Sequence, residues 1–163
     1  MNPLVLIAIL FAEPILLILL SKANAALVFL ALCAGFVLQA YIGEDAQALI
    51  QGLLNNYDPN VGQYIRLGVM LTPPLFAVLF LRSSVQGGKN LINVVPAISV
   101  GIVNVFLAVP LLPDNLKSSV YGTSLWSDLS QFQAIFIGVS VFISMAIVLS
   151  GKRGHKKKHR KKG

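Results

Sequence analysis

Glu13 stands near the middle of an apolar run at residues 4–20, and its chemistry is the first thing the sequence asks to have explained. On insertion scales an acidic residue at the centre of a membrane helix costs about 2.5–3.5 kcal/mol, so the carboxyl must face protein or water. Two kinds of chemistry would retain it: proton or cation handling, or a lock between helices. A purely structural alternative is a neutral acid bonded to a backbone carbonyl that a proline has freed. Pro14 frees one, because it has no N–H to give to the Leu10 carbonyl. Pro73-Pro74 free two more, at Val69 and Met70, and at roughly 1.5 Å per residue they lie at about the depth of Glu13. Glu13, Pro14, Pro73 and Pro74 together form a candidate intramembrane polar site of the kind that discontinuous helices build near a bilayer midplane.

A second pattern concerns packing. Ala97, Gly101, Asn104 and Ala108 recur at i, i+4, i+7 and i+11, a narrow small-and-polar stripe between Pro96 and Pro110. Small residues let helix backbones approach, and an asparagine can hydrogen-bond across the contact. Ala31 and Gly35, Ala134 and Gly138, and Ser140 and Ser144 give shorter versions. These faces pack within the protomer or join it to another membrane protein, so a homo- or hetero-oligomer is expected.

Enzymatic machinery is missing. The only histidines are His155 and His159 in a charged tail, Cys33 is the single cysteine, and no glycine-rich phosphate loop precedes a helix. No catalytic residue, metal or cofactor is expected. The tail carries Lys152, Arg153, Lys156, Lys157, Lys158, Arg160, Lys161 and Lys162, and such a run after an apolar span attracts anionic lipid headgroups. No aromatic residue is interleaved for base stacking, so nucleic acid is not the expected partner.

The elements that must position these residues follow from composition. Of 163 residues 56% are hydrophobic and 12% charged, against roughly 25% charged in a soluble domain. Mean hydropathy is +0.77. The net charge of +7 is concentrated after residue 151, and the body before it sums to −1. Five spans of membrane-crossing length are predicted at residues 4–20, 25–42, 65–81, 91–112 and 132–149. A membrane-embedded backbone must satisfy its own hydrogen bonds, so the spans are helices. The expected fold is an all-α integral membrane bundle of about five helices at residues 1–150, followed by a disordered polybasic cytoplasmic tail at 151–163.

Orientation follows the positive-inside rule. With the tail inside and five spans, every Lys and Arg except Arg66 and Lys117 falls on the inner side, and Tyr41, Tyr57, Tyr64, Tyr121 and Trp126 gather at the outer interface. The N-terminus is therefore expected outside, the C-terminus in the cytoplasm, and the protein in the plasma (inner) membrane. Ala23-Asn24-Ala25 has the form of a signal-peptide cleavage site. However, no basic residue precedes the apolar run, Glu13 interrupts it, and a second span follows at once.

Between spans two and three, residues 45–57 place Leu49, Ile50, Leu53 and Leu54 on one face, which predicts a short interfacial helix ended by Asp58-Pro59-Asn60. Pro73-Pro74 are expected to break the third span. In the loop before the fifth, Leu125 and Trp126 are expected to dip into lipid, and Ser130 with Gln133 to form a capping box. Gly87-Gly88 marks a flexible turn.

In layout the chain resembles the colicin V production protein family of small bacterial inner-membrane proteins. The shared points are two spans joined by Ser21-Lys22-Ala23-Asn24, an acidic outer segment at Gly43-Glu44-Asp45, and a fourth span with Ala97 and Gly101. The stretch Ser124-Leu125-Trp126-Ser127 follows. Ser21-Lys22 stands where that family carries Arg-Gly, and Asn104 where its fourth span carries arginine. The resemblance implies a non-enzymatic role in secretion or envelope maintenance, hence a scaffold or accessory subunit of an export-related membrane assembly. The alternative from another class is a small ion or proton channel or transporter using Glu13, with a holin-like pore former as its simplest version.

Overall fold

A computed structural model describes residues 2–53, 59–82 and 90–159. Among these the chain is all-helical: α1 (Pro3–Ser21), α2 (Ala25–Leu53), α3 (Pro59–Phe80), α4 (Asn90–Ala108) with a 3₁₀ turn (Val109–Leu111), α5 (Asp114–Tyr121), α6 (Ser124–Gln131) and α7 (Gln133–His159). Four helices, α1 to α4, are long and apolar enough to cross a membrane. A fifth crossing arises if α6 and α7, bent by 55° at their junction, act as one span.

Helix ends are set by local chemistry. The Asn2 side chain accepts from Leu4 N–H, and Pro3 occupies the first turn, where no N–H is needed. At the other end Lys22 adopts a left-handed conformation, φ 52°, and the N–H groups of Lys22 and Ala23 return to the carbonyls of Leu19 and Ile18. Asn24 then caps α2 by accepting from Ala26 N–H at 3.1 Å.

The core is organised around α4. Sixty-seven per cent of its apolar window is buried, against 11% for α1 and for α3, so α4 is the inner helix and α1 and α3 turn broad faces outward. α2 lies along α3, α1 along α4, and α7 against both α2 and α4. Ile18, Phe29, Leu32, Met70, Val100 and Val103 fill the main cluster. A smaller cluster of Leu6, Val105, Val109, Leu112 and Val120 closes the end nearest α5.

Several expectations are corrected. The segment at residues 45–53 is no separate interfacial helix but continues α2. Gly43 does not end the helix because it is buried against Gln39 and the aliphatic stem of Arg66, and the residues that follow are good helix formers. At 29 residues, α2 is about 43 Å long at 1.5 Å per residue, longer than the hydrocarbon core alone. Tyr57 and Asp58 lie outside the described residues, while Pro59 opens α3 rather than ending a helix. Pro73 and Pro74 do not break α3, which runs through both.

The loop before α7 folds into α5 and α6. The Trp126 ring packs on Phe106 at 6.0 Å and Tyr121 at 5.4 Å, while Leu125 is exposed. The capping box is not formed. Ser130 is still within α6 and donates to the Ser127 carbonyl at 3.0 Å; Thr123 is the residue that caps, accepting from Trp126 N–H at the start of α6. The tail read as disordered is helical as far as His159. Lysine propagates a helix already nucleated, and basic residues suit its C-terminal dipole. The side chains of the basic residues 152–162, and the Gly87-Gly88 turn, lie outside what is described.

Candidate functional site

Pro14 and Pro74 come together at a cavity of about 140 Å³ enclosed by α1, α2, α3 and α4. Its walls are apolar: Leu10 and Ile18 from α1, Val28 and Leu32 from α2, Leu71 and Val78 from α3, Val100 from α4. Two polar residues reach it, Glu13 and Asn104. Of the four residues read from the sequence as one site, Glu13, Pro14 and Pro74 line this cavity. Pro73 lies apart, its Cδ 3.2 Å from where a Cβ on Gly35 would stand.

Two of the freed carbonyls, those of Leu10 and Met70, face groups other than Glu13. Asn104 Nδ2 donates to the Leu10 carbonyl at 2.8 Å, replacing the donor that Pro14 lacks. The Met70 carbonyl, freed by Pro74, points at Gly35 so closely that a Cβ there would overlap it. The glycine thus admits the α3 backbone and offers its Cα–H to the carbonyl, a weak but recurrent helix–helix contact. A neutral acid bonded to the Leu10 carbonyl is therefore not what holds Glu13. Glu13 makes no hydrogen bond or ion pair among the described residues, and its side chain is exposed at the cavity mouth between α1 and α3, beside exposed Leu17 and Leu75.

The small-and-polar stripe of α4 faces α1. Ala97, Asn104 and Ala108 are buried, and a Cβ on Gly101 would lie 2.7 Å from the Phe11 carbonyl. The α7 stripe divides: Ser140 and Ser144 are buried, while Ala134 and Gly138 are exposed with nothing near Gly138.

Sequence reasoning missed Asn93. In the first turns of α4 it is buried, accepts from Ala25 N–H and donates to the Ala23 carbonyl, both at 2.8 Å. One side chain thereby pins the α1–α2 turn to α4. A polar amide at the edge of an apolar span was the available signal. Also missed were two ion pairs, one between α2 and α3 and one within α5. Arg66 pairs with Glu44 at 3.1 Å, and Lys117 with Asp114 at 2.8 Å. Its hydrogen bond to Lys117, with that residue's charge, holds the Asp114 carboxyl below its usual range, Gln63 assisting; the same pair raises Lys117.

Among the described residues no cluster of His, Cys, Asp or Glu could hold a metal. No protein-family model, curated protein or solved structure matches this chain.

Proposed function

We propose that the protein is a non-enzymatic integral membrane subunit, a scaffold or accessory component of an envelope or export-related assembly. The observation that carries this reading is Glu13: exposed, without a partner among the described residues, on a helix apolar enough to cross a membrane. Against lipid such a carboxyl costs about 2.5–3.5 kcal/mol, and a second membrane protein seated on the α1–α3 cleft removes that cost. The buried amides of Asn93 and Asn104 are committed to this chain's own backbone, whereas Glu13 is exposed and available to another chain. In this reading the basic residues 152–162 anchor the cytoplasmic side of the inner membrane, and the resemblance in layout to the colicin V production proteins supports it.

The test is isolation of the tagged chain from its native membranes in mild detergent. A defined complex of fixed stoichiometry is expected, its yield cut severalfold by Leu17→Trp or Leu75→Trp at the cleft and unchanged by Phe142→Trp on α7. Recovery as a free chain under all mild conditions overturns the reading.

A second reading, a proton or cation path, draws on the presence of Glu13 and Asn104 in one cavity. Flux of protons and monovalent cations into proteoliposomes, abolished by Glu13→Gln at matched incorporation, would replace the subunit reading. No flux above empty liposomes is expected.

A further inference from the structure

The cleft is selective about what covers it. Among the described residues of α1 to α4, and of α7 up to Leu149, the only Lys or Arg is Arg66, and it is already paired with Glu44. Arg66 lies eight residues before Pro74, roughly 12 Å away along α3, so it does not serve Glu13. A second copy of this chain would bring another carboxyl and no free cation at that level. A cation on a different chain is the complement that would pair an ionised Glu13 at this level.

Resting on the subunit reading, we infer that the α1–α3 cleft receives a partner transmembrane helix carrying one Lys or Arg at the depth of Glu13, with a bulky apolar residue one turn away. The cation meets the carboxyl at the cavity mouth, where Leu17 and Leu75 shield the pair from lipid. The apolar neighbour, at i±3 or i±4 on the same helix face, enters the cavity. At about 140 Å³ that cavity is close to the roughly 150 Å³ that accommodates a benzene ring, so a leucine, isoleucine or phenylalanine side chain suits it. Apolar walls give the contact its packing, and the charge pair gives it its depth and its choice of partner.

The probe is a synthetic helix of about 20 leucines with a single central lysine, acceptor-labelled and mixed with the full chain in phosphatidylcholine vesicles. The donor is Trp126, the one tryptophan in the sequence, which packs against the same small cluster that Leu6 of α1 joins. The lysine helix is expected to reach half-maximal energy transfer at about tenfold lower peptide-to-lipid ratio than the all-leucine helix. Glu13→Gln should remove that preference. Glu13→Gln combined with Phe142→Glu, which moves the carboxyl to an exposed site on α7, should not restore it. Equal binding of the two peptides, or restoration by the moved carboxyl, overturns the inference. A native complex whose residue cross-linked to the cleft is neither Lys nor Arg also overturns it, while leaving the subunit reading intact.

Discussion

Asn104 Nδ2 lies 2.8 Å from the Leu10 carbonyl, the acceptor that Pro14, four residues on, leaves without its helical donor. A defect written into one helix is thus repaired by a side chain ninety-four residues later. The repair leaves α1 with a proline beside its only acidic residue and the freed carbonyl still paired.

The pairing is testable as a cycle. Asn104→Ala should destabilise by about 1–2 kcal/mol, because the Leu10 carbonyl is left bare. In a Pro14→Ala background residue 14 supplies its own N–H, and the same substitution should cost less than half as much. Unfolding by denaturant in bicelles, read as a double-mutant cycle, measures the coupling; additive effects would sink it.

Glycines should divide sharply. Gly35→Ala drives a methyl into the Met70 carbonyl, and Gly101→Ala places one 2.7 Å from the Phe11 carbonyl, so each should cost about 1–3 kcal/mol or more. Gly138→Ala meets nothing within 4 Å and should be neutral or gain up to about 1 kcal/mol from helix propensity. The same bicelle unfolding assay ranks the three, and a tolerant Gly35 would contradict the α2–α3 approach.

Asn93→Leu should cost about 1–3 kcal/mol, leaving the Ala23 carbonyl and Ala25 N–H unmatched in a buried place. Asn93→Asp keeps the acceptor for Ala25 but sets an oxygen against the Ala23 carbonyl, so it should cost more than Asn93→Ala. Hydrogen exchange at the amides of residues 25–28 is the direct reading, with protection falling first there.

Acid and base should loosen α5 from opposite ends. The Asp114 carboxyl is held below its ordinary value of 3.8, so its share of the pair is present above that value and lost as pH falls through the lower folded pKa. Lys117 is raised above 10.5, so its share is present below that and lost as pH rises through the higher folded pKa. Trp126 emission, next to α5, should be flat from about pH 5 to 9 and change only outside that window. Lys117→Gln should reduce the acid-side change.

The broad fold was legible because hydropathy and length are properties of each span by itself: α1, α4 and the core of α2 lie close to where the apolar runs place them. The freed Leu10 carbonyl was equally legible, since Pro14 acts four residues away in its own helix. What took it was not, because the choice between Glu13 and Asn104 depends on how α1 and α4 are rotated against each other. The ending of α2 was misread for a related reason. Gly43 looks like a boundary until Arg66 of α3 covers it, and nothing in the sequence pairs the Trp126 ring with Phe106.

The central place of α4 also orders the making of the protein. As the chain is synthesised, α1, its turn and α2 are complete long before Asn93 and Asn104 exist. Until α4 enters, the α1–α2 turn lacks its clamp and the kinked turn of α1 its substitute donor. Until then the Leu10 and Ala23 carbonyls and the Ala25 N–H lack the partners that α4 gives them. Arrival of α4 answers both at once, so its docking is what ties the first two helices together.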